Sequence, residues 1–90
     1  MRNLEIHLEN DKWAAPFLLA ASFQGLVKYE TRRVVNGILY WCFSPKQTAK
    51  ELVERFATGT EPPISSRSLL NAVAEWWKQV AEIKKGGFYD

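Results

Sequence analysis

The sequence predicts an α+β fold in which a small three-stranded sheet, in β-α-β-β-α-α order, carries its helices packed on one face. Three observations predict it: alternating apolar residues near the N-terminus, a hairpin pattern in the middle, and two amphipathic helical patterns in the second half. The 90 residues are enough for one small domain. We therefore expect a single domain over residues 1–90, with a loose C-terminal tail over about residues 86–90.

The composition narrows the class of protein. Hydrophobic residues make up 47% of the chain and the formal net charge is only +2, which excludes a disordered chain. No apolar run approaches the roughly 20 residues needed to cross a bilayer, and no secretory signal pattern opens the sequence. The single cysteine, Cys42, cannot form an internal disulfide. We expect a cytoplasmic protein that does not engage a membrane.

A short first strand is predicted from alternating hydrophobicity. Leu4, Ile6 and Leu8 are separated by polar residues, which is typical of a strand with one buried face. The same alternation directs His7 outward into solvent, beside Glu5. No cysteine or second histidine is spaced to share a metal ion with this histidine.

A buried helix is predicted over residues 12–24, because Ala, Leu and Phe occupy nearly all of its faces. Asp11 is the expected N-cap. Pro16 would then lie just past the first turn, which indicates either a kink or a later start. Gly25 is expected to end the helix in the left-handed conformation.

A β-hairpin is predicted over residues 26–43, with its turn near Asn36 and Gly37. A two-residue loop would place the charged residues of its first strand on the same face as the apolar residues of its second. A three-residue loop with a bulge at Gly37 instead groups Val27, Tyr29 and Thr31 with Leu39, Trp41 and Phe43. We therefore predict the three-residue loop, which leaves an outer face of Lys28, Glu30, Arg32, Ile38, Tyr40 and Cys42.

Two further helices are predicted after the hairpin. Ser44, Pro45 and Gln47 have the pattern of a capping box, and the helix that follows buries one stripe: Ala49, Leu52, Val53 and Phe56. The last helix is expected to begin at Ser65 or Ser66 and to end near Lys85. Its predicted core stripe is Leu69, Val73, Trp76, Val80 and Ile83, widened by Leu70, Ala72 and Trp77.

No pattern in the sequence indicates catalytic chemistry. A phosphate-binding glycine loop, a nucleophile elbow and an HExxH pair are all missing from the sequence. Cys42 has no recognisable base and is expected to be a structural thiol. We therefore predict that the protein is not an enzyme and that it uses no metal, no cofactor and no small-molecule substrate.

Two adjacent tryptophans in the last helix indicate an interaction surface. Neighbouring residues on a helix point about 100° apart, so Trp76 and Trp77 are both buried only if the helix is covered on two sides. One ring is expected to reach the surface, where it would mark an interface. We predict a protein-interaction site, with a second copy of the chain as the favoured partner, formed by Trp77, Leu70, Phe88 and Tyr89.

The outer face of the hairpin supports an alternative function. Lys28, Arg32, Arg33 and Tyr40 would bring cations together with a stacking ring, which is the combination that single-stranded nucleic acid needs. Glu30 among them favours an ordinary solvated strand, and no RNP-type aromatic motif is present. A small nucleic-acid-binding regulator is therefore the alternative to an interaction module.

Four segments carry a resemblance to a family: AAPFLLAASFQGL, YWCFSP, AKELVERFATGT and ISSRSLLNAVAEWWKQV. In this order they resemble an uncharacterised family of short bacterial and phage proteins, over about residues 10–83. Trp41 and Phe43 match its alternating aromatics, and Gly25 and Gly59 match its helix ends. Because the family has no assigned activity, the resemblance implies the fold and not the function.

Overall fold

The strands and helices occur in the predicted order. The computed structural model describes residues 5–86, and the side chains of residues 5–83. The elements are β1 (His7–Glu9), α1 (Ala14–Phe23), β2 (Lys28–Val35), β3 (Ile38–Ser44), α2 (Lys46–Ala57) and α3 (Ser66–Gly86). The three strands form an antiparallel sheet in the order β1-β3-β2. The predicted α+β class is therefore confirmed.

The first strand is short, and the face that it turns toward the core is the opposite of the predicted one. Leu4 lies outside the described residues, and β1 spans only His7–Glu9. His7 pairs with Phe43 of β3, and residues that pair directly share a face of the sheet. His7 therefore lies half-buried on the face of the buried Phe43, not outward in solvent, and its Nε2 lies 2.7 Å from Glu9 Oε1. The pairing with β3 sets this orientation, and alternation within the strand alone does not reveal it.

The turn of the hairpin has two residues, so the prediction of a three-residue loop is wrong. Val35 pairs with Ile38, and the residues between them, Asn36 and Gly37, have φ angles of 53° and 80°. Two consecutive left-handed residues form a type I′ turn, whose twist matches that of the strands without a bulge.

The bulge lies instead at Glu30, within β2. Tyr29 pairs with Phe43 and Thr31 pairs with Cys42, so β2 has one residue more than β3 at this point. An extra residue reverses the alternation of side chains along the strand. Tyr29 therefore lies on the face of Phe43 as predicted, whereas Thr31 lies on the opposite face.

The helices lie on one face of the sheet, as predicted. This inner face carries Tyr29, Leu39, Trp41 and Phe43, which all pack in one hydrophobic cluster with residues of the helices. Within the described part of the chain, that cluster contains no residue of the opposite, outer face, although Cys42 is buried there. The outer face consists of Leu8, Lys28, Thr31, Arg33, Val35, Ile38, Tyr40, Cys42 and Ser44.

α1 is the centre of the core. Its residues from Ala14 to Ala21 are all buried, as expected for a helix that is apolar on every side. The N-cap residue is Trp13 and not the expected Asp11, although Asp11 Oδ2 accepts hydrogen bonds from the backbone N–H groups of Trp13 and Ala14, at 2.9 and 2.8 Å. The helix starts late enough for Pro16 to fall in its first turn, where the missing N–H has no helical partner to lose. Of the two alternatives, the later start is therefore correct.

α2 begins without the predicted capping box. The Ser44 hydroxyl donates a hydrogen bond to Glu30 and makes no bond to the helix. Ser44 is the last residue of β3, so the sheet directs its side chain to the outer face. The backbone N–H of Lys46 donates instead to the carbonyl of Glu5, at 3.1 Å. The predicted stripe of the helix is confirmed, since its members are buried or pack against the core: Ala49, Leu52, Val53 and Phe56.

Three predicted helix ends are confirmed. Gly25 follows α1 with a φ of 80°, and Gly59 follows α2 with a φ of 75°, which is the left-handed conformation of a helix C-terminus. α3 starts at the predicted position, where Ser65 Oγ accepts a hydrogen bond from the N–H of Ser68 at 3.1 Å.

Candidate protein-interaction surface

α3 packs mainly against α1, and its buried stripe differs from the predicted one. The stripe consists of Ala72, Trp76 and Gln79. Leu69, Leu70 and Trp77, which the sequence pattern placed in the core stripe or at its margin, are exposed, and Val73 is only half-buried. Val80 packs against the core as predicted. The helix is therefore rotated about its axis relative to the prediction. This rotation leaves more of its apolar surface in solvent.

A buried polar network sets the rotation of α3. Trp41 Nε1 donates to Gln79 Oε1 at 2.8 Å, and Gln79 Nε2 donates to Glu75 Oε2 at 3.0 Å. Tyr29 lies on the same side of the sheet, where burial raises the pKa of its hydroxyl while Arg32 acts in the opposite direction. The Trp41 indole N–H and the Gln79 amide oxygen form a hydrogen bond inside the core, so α3 must present Gln79 to the sheet.

Replacing Gln79 with methionine is expected to lower the free energy of unfolding by about 1–3 kcal/mol, because the buried Trp41 N–H loses its acceptor. Urea denaturation followed by circular dichroism measures this change. The matched control is Gln47→Met, which removes an exposed hydrogen bond to Glu51 and should change the free energy of unfolding by less than about 0.5 kcal/mol. Equal destabilisation in the two variants would contradict the role assigned to the network.

The two adjacent tryptophans of α3 have different surroundings. Trp76 is 6% exposed, and its ring centroid lies 5.4 Å from that of Trp41. Trp77 is 56% exposed and contacts Trp76 edge-on, at a centroid distance of 4.8 Å. The expectation that one ring reaches the surface is therefore confirmed.

Trp77 belongs to a continuous apolar strip along the solvent side of α3. Residues 70, 74, 77 and 81 follow one another at intervals of four and three, so they lie on one side of the helix. All four are exposed and uncharged, and Leu70 is 68% exposed. We call this surface the α3 strip: Leu70, Ala74, Trp77 and Ala81.

A groove lies beside the α3 strip, between the end of α1 and α3. It is lined by Phe23, Asn71, Ala74, Glu75 and Lys78, and its volume is about 480 Å³. Ala74 belongs to both the groove and the strip, and Phe23 is 50% exposed. The apolar surface therefore continues from α3 onto the last residue of α1, with polar groups at its border.

The sequence identified part of this surface. It singled out Leu70 and Trp77, which are both exposed, while Phe88 and Tyr89 lie outside the described residues. The alternating intervals of four and three that begin at Leu70 would have revealed the small members of the strip. The residues that sequence reasoning missed are Ala74, Ala81 and Phe23.

The four predicted nucleic-acid-binding residues lie on two different faces of the sheet. Arg33 pairs with Tyr40 on the outer face, and Lys28 lies on that face as well. Arg32 pairs with Trp41 and lies on the inner face, so its predicted placement is wrong. The two-residue turn is the reason, because it sets Arg32 opposite Trp41, while the bulge at Glu30 keeps Lys28 on the outer face.

The charge of the outer face is nearly balanced. The Glu30 carboxylate lies 3.8 Å from Lys28 Nζ and also accepts the hydrogen bond from Ser44. One of the two cations of this face therefore has an acidic partner, which leaves Arg33 as the cation beside Tyr40.

Side chains that could bind a metal ion do not cluster in the part of the chain that the structure describes. In the described part of the chain, no group of three or more His, Cys, Asp and Glu side chains could hold a metal ion. Cys42 is buried on the outer face, and burial raises the pKa of its thiol. None of the described helices is both long and apolar enough to cross a membrane.

No protein-family model, curated protein or solved structure matches the chain. The resemblance to a family of short bacterial and phage proteins therefore stays an expectation from the sequence.

Proposed function

We propose that the chain is a small, non-catalytic interaction module of the cytoplasm that forms a homodimer through the α3 strip. The observation that carries the proposal is the exposure of Trp77, at 56%, within a strip of four uncharged residues. Contiguous apolar surface of this kind is typical of protein–protein contacts. Tryptophan is also the residue type most enriched among those that dominate binding energies.

A second copy of the chain is the partner that best fits the strip. Along the helix the strip alternates large and small side chains, with Leu70 and Trp77 as the large members and Ala74 and Ala81 as the small ones. A surface that carries both projections and recesses can be complementary to itself across a twofold axis, because each contact then occurs twice.

Nucleic-acid binding by the outer face is the alternative, and it has less support. Bases stack on exposed rings that lie beside cations. Tyr40 is half-buried, Lys28 has Glu30 as an acidic neighbour, and Arg32 lies on the inner face. Arg33 is the one predicted cation that remains beside the ring without an acidic contact within the described residues.

The substitution Trp77→Ala is expected to convert a dimer into a monomer. Size-exclusion chromatography with light scattering, at tens of micromolar protein, should give twice the mass of one chain for the wild type and the mass of one chain for the variant. Trp13→Ala is the matched control, because Trp13 is also an exposed tryptophan, at 66%, but lies outside the α3 strip. This control is expected to remain dimeric.

A second variant separates loss of the dimer from loss of the fold. Trp77 contacts Trp76, so its removal can also disturb the core, whereas Leu70 is among the most exposed apolar residues described. Leu70→Ser should therefore weaken the dimer while the circular dichroism spectrum of the folded chain stays unchanged. A wild type that is monomeric at this concentration, or dimers in both variants, would contradict the proposal.

A further inference from the structure

β2 forms one edge of the sheet. In the order β1-β3-β2, β3 is the strand that pairs with it. Within the described residues, β2 makes no backbone–backbone hydrogen bond to a helix or a loop. The other side of such a strand presents N–H and C=O groups to which an additional strand can bond. The free edge of β2 is therefore a candidate binding surface.

The two-residue turn determines which backbone groups of β2 point away from β3. Val35 and Ile38 flank the type I′ turn and form the hydrogen-bonded pair that closes it. Bonded and non-bonded pairs alternate along an antiparallel ladder, so the N–H and C=O groups of Arg32 and Val34 point outward. The Arg32 carbonyl accepts one long hydrogen bond, at 3.4 Å, from the Thr31 hydroxyl, and a carbonyl oxygen has a second lone pair for another donor.

Two arginines give this edge a positive charge. Arg32 and Arg33 are both exposed, and they lie on opposite faces of the sheet, where they pair with Trp41 and Tyr40. Within the described residues, no acidic side chain forms a salt bridge with either guanidinium group. A strand added at this edge could therefore place one carboxylate on each face, and each carboxylate would meet one arginine.

The same arginines oppose a second copy of β2 as the added strand. The antiparallel register that uses the outward groups of Arg32 and Val34 in both copies is centred on Arg33. It sets Arg33 directly opposite Arg33 of the second copy, and like charges in that arrangement destabilise a strand pair. A segment with two adjacent acidic residues has the complementary charge instead.

A polypeptide also fits this edge better than a nucleic acid does. Arg32 and Val34 each present an N–H donor together with a C=O acceptor at the free edge. Phosphate groups supply acceptors only, so they would leave the two carbonyls unpaired. A polypeptide in the extended conformation supplies donors and acceptors at the spacing of the strand.

We infer that the free edge of β2 binds an extended acidic segment of another protein as an added strand, with two adjacent carboxylates against Arg32 and Arg33. Main-chain hydrogen bonds to Arg32 and Val34 hold the segment, and the two ion pairs select it. This site is separate from the α3 strip and does not depend on the homodimer proposed above.

Fluorescence anisotropy with labelled peptides tests this inference. The probe Thr-Val-Glu-Glu-Val-Thr reads the same in both directions, so it can pair with β2 in either orientation, and it is expected to bind saturably. Thr-Val-Gln-Gln-Val-Thr lacks the carboxylates, and Thr-Pro-Glu-Glu-Pro-Thr retains them but cannot pair as a strand. Each of these two control peptides is expected to bind at least about tenfold more weakly than the probe.

Variants of the edge locate the site. Replacing both arginines, by Arg32→Gln together with Arg33→Gln, is expected to weaken binding of the probe at least about tenfold. Val34→Pro removes an outward N–H and no hydrogen bond to β3, so it should weaken binding as well. Arg67→Gln is the matched control, because Arg67 is an exposed arginine of α3, and it should bind like the wild type. Circular dichroism verifies the fold of each variant.

Four results would overturn the inference. The first is a probe that does not saturate the wild type below about 1 mM. Equal binding of the probe and the proline-containing peptide would show attraction of charge without strand pairing. Unchanged binding in the double arginine variant would place the site elsewhere. Tighter binding of a single-stranded thymidine oligonucleotide than of the probe, at equal ionic strength, would assign the arginines to nucleic acid. The α3 homodimer is tested separately by light scattering.

Discussion

Truncating Phe43 to alanine is expected to lower the free energy of unfolding by about 3–5 kcal/mol. Phe43 is fully buried at the centre of the sheet, where it pairs with His7 on one side and with Tyr29 on the other. Its ring lies 5.5 Å from that of Tyr29. Domains of this kind have a total stability of about 5–15 kcal/mol, so the cavity would remove a large share of it.

Ile38→Ala on the same strand is the matched control for this variant. Ile38 lies on the outer face and is exposed, so its truncation should cost about 1 kcal/mol or less. Urea denaturation at equal protein concentration compares the two variants, since a dimer makes stability depend on concentration. A loss for Phe43→Ala as small as that for Ile38→Ala would contradict the placement of the core on the inner face.

The helices could be predicted because their signals are local. The Asp11 and Ser65 side chains accept hydrogen bonds from N–H groups at the starts of α1 and α3, and glycines follow α1 and α2 at Gly25 and Gly59. Each of these signals acts through hydrogen bonds or backbone angles within a few residues. The order of the elements and the fold class follow from such signals.

The faces of the hairpin could not be predicted, because they depend on pairing between strands. The extra residue at Glu30 is a bulge only with respect to β3, and no local pattern in β2 identifies it. The two-residue turn places Arg32 on the inner face, whereas the bulge places Lys28 on the outer face. Together they divide the cluster of cations that supported nucleic-acid binding. The error in the candidate site thus follows directly from the error in the strand.

The rotation of α3 has a similar cause. A hydrophobicity pattern assigns glutamine to solvent, yet Gln79 is buried because Trp41, on a strand far along the chain, supplies its hydrogen bond. Turning Gln79 inward turns Leu70 and Trp77 outward. The buried polar contact therefore determines where the exposed apolar strip lies, and only the packed structure shows it.

Cys42 is expected to react with a thiol reagent only when the domain opens. It is 1% exposed, and burial raises the pKa of its thiol despite the opposing effect of Arg33, so little reactive thiolate is accessible in the folded state. For a domain with at least about 5 kcal/mol of stability, labelling in buffer should be about a thousandfold or more slower than in urea. The raised pKa also means that the stability due to the protonated thiol is fully present below the pKa of the unfolded chain and is lost as the pH rises through the higher pKa of the folded state.

The position of Cys42 makes the kind of opening measurable. It lies outside the hydrophobic cluster, between its cross-strand partners Leu8 and Thr31 on the outer face. If global unfolding exposes the thiol, Phe43→Ala should accelerate labelling about a hundredfold or more, in proportion to its loss of stability. Leu8→Ala should accelerate labelling only in proportion to the decrease in the free energy of unfolding that this substitution causes. Faster labelling of Leu8→Ala at unchanged stability would show that β1 opens locally, because the thiol would then be reached while the inner-face core stays closed.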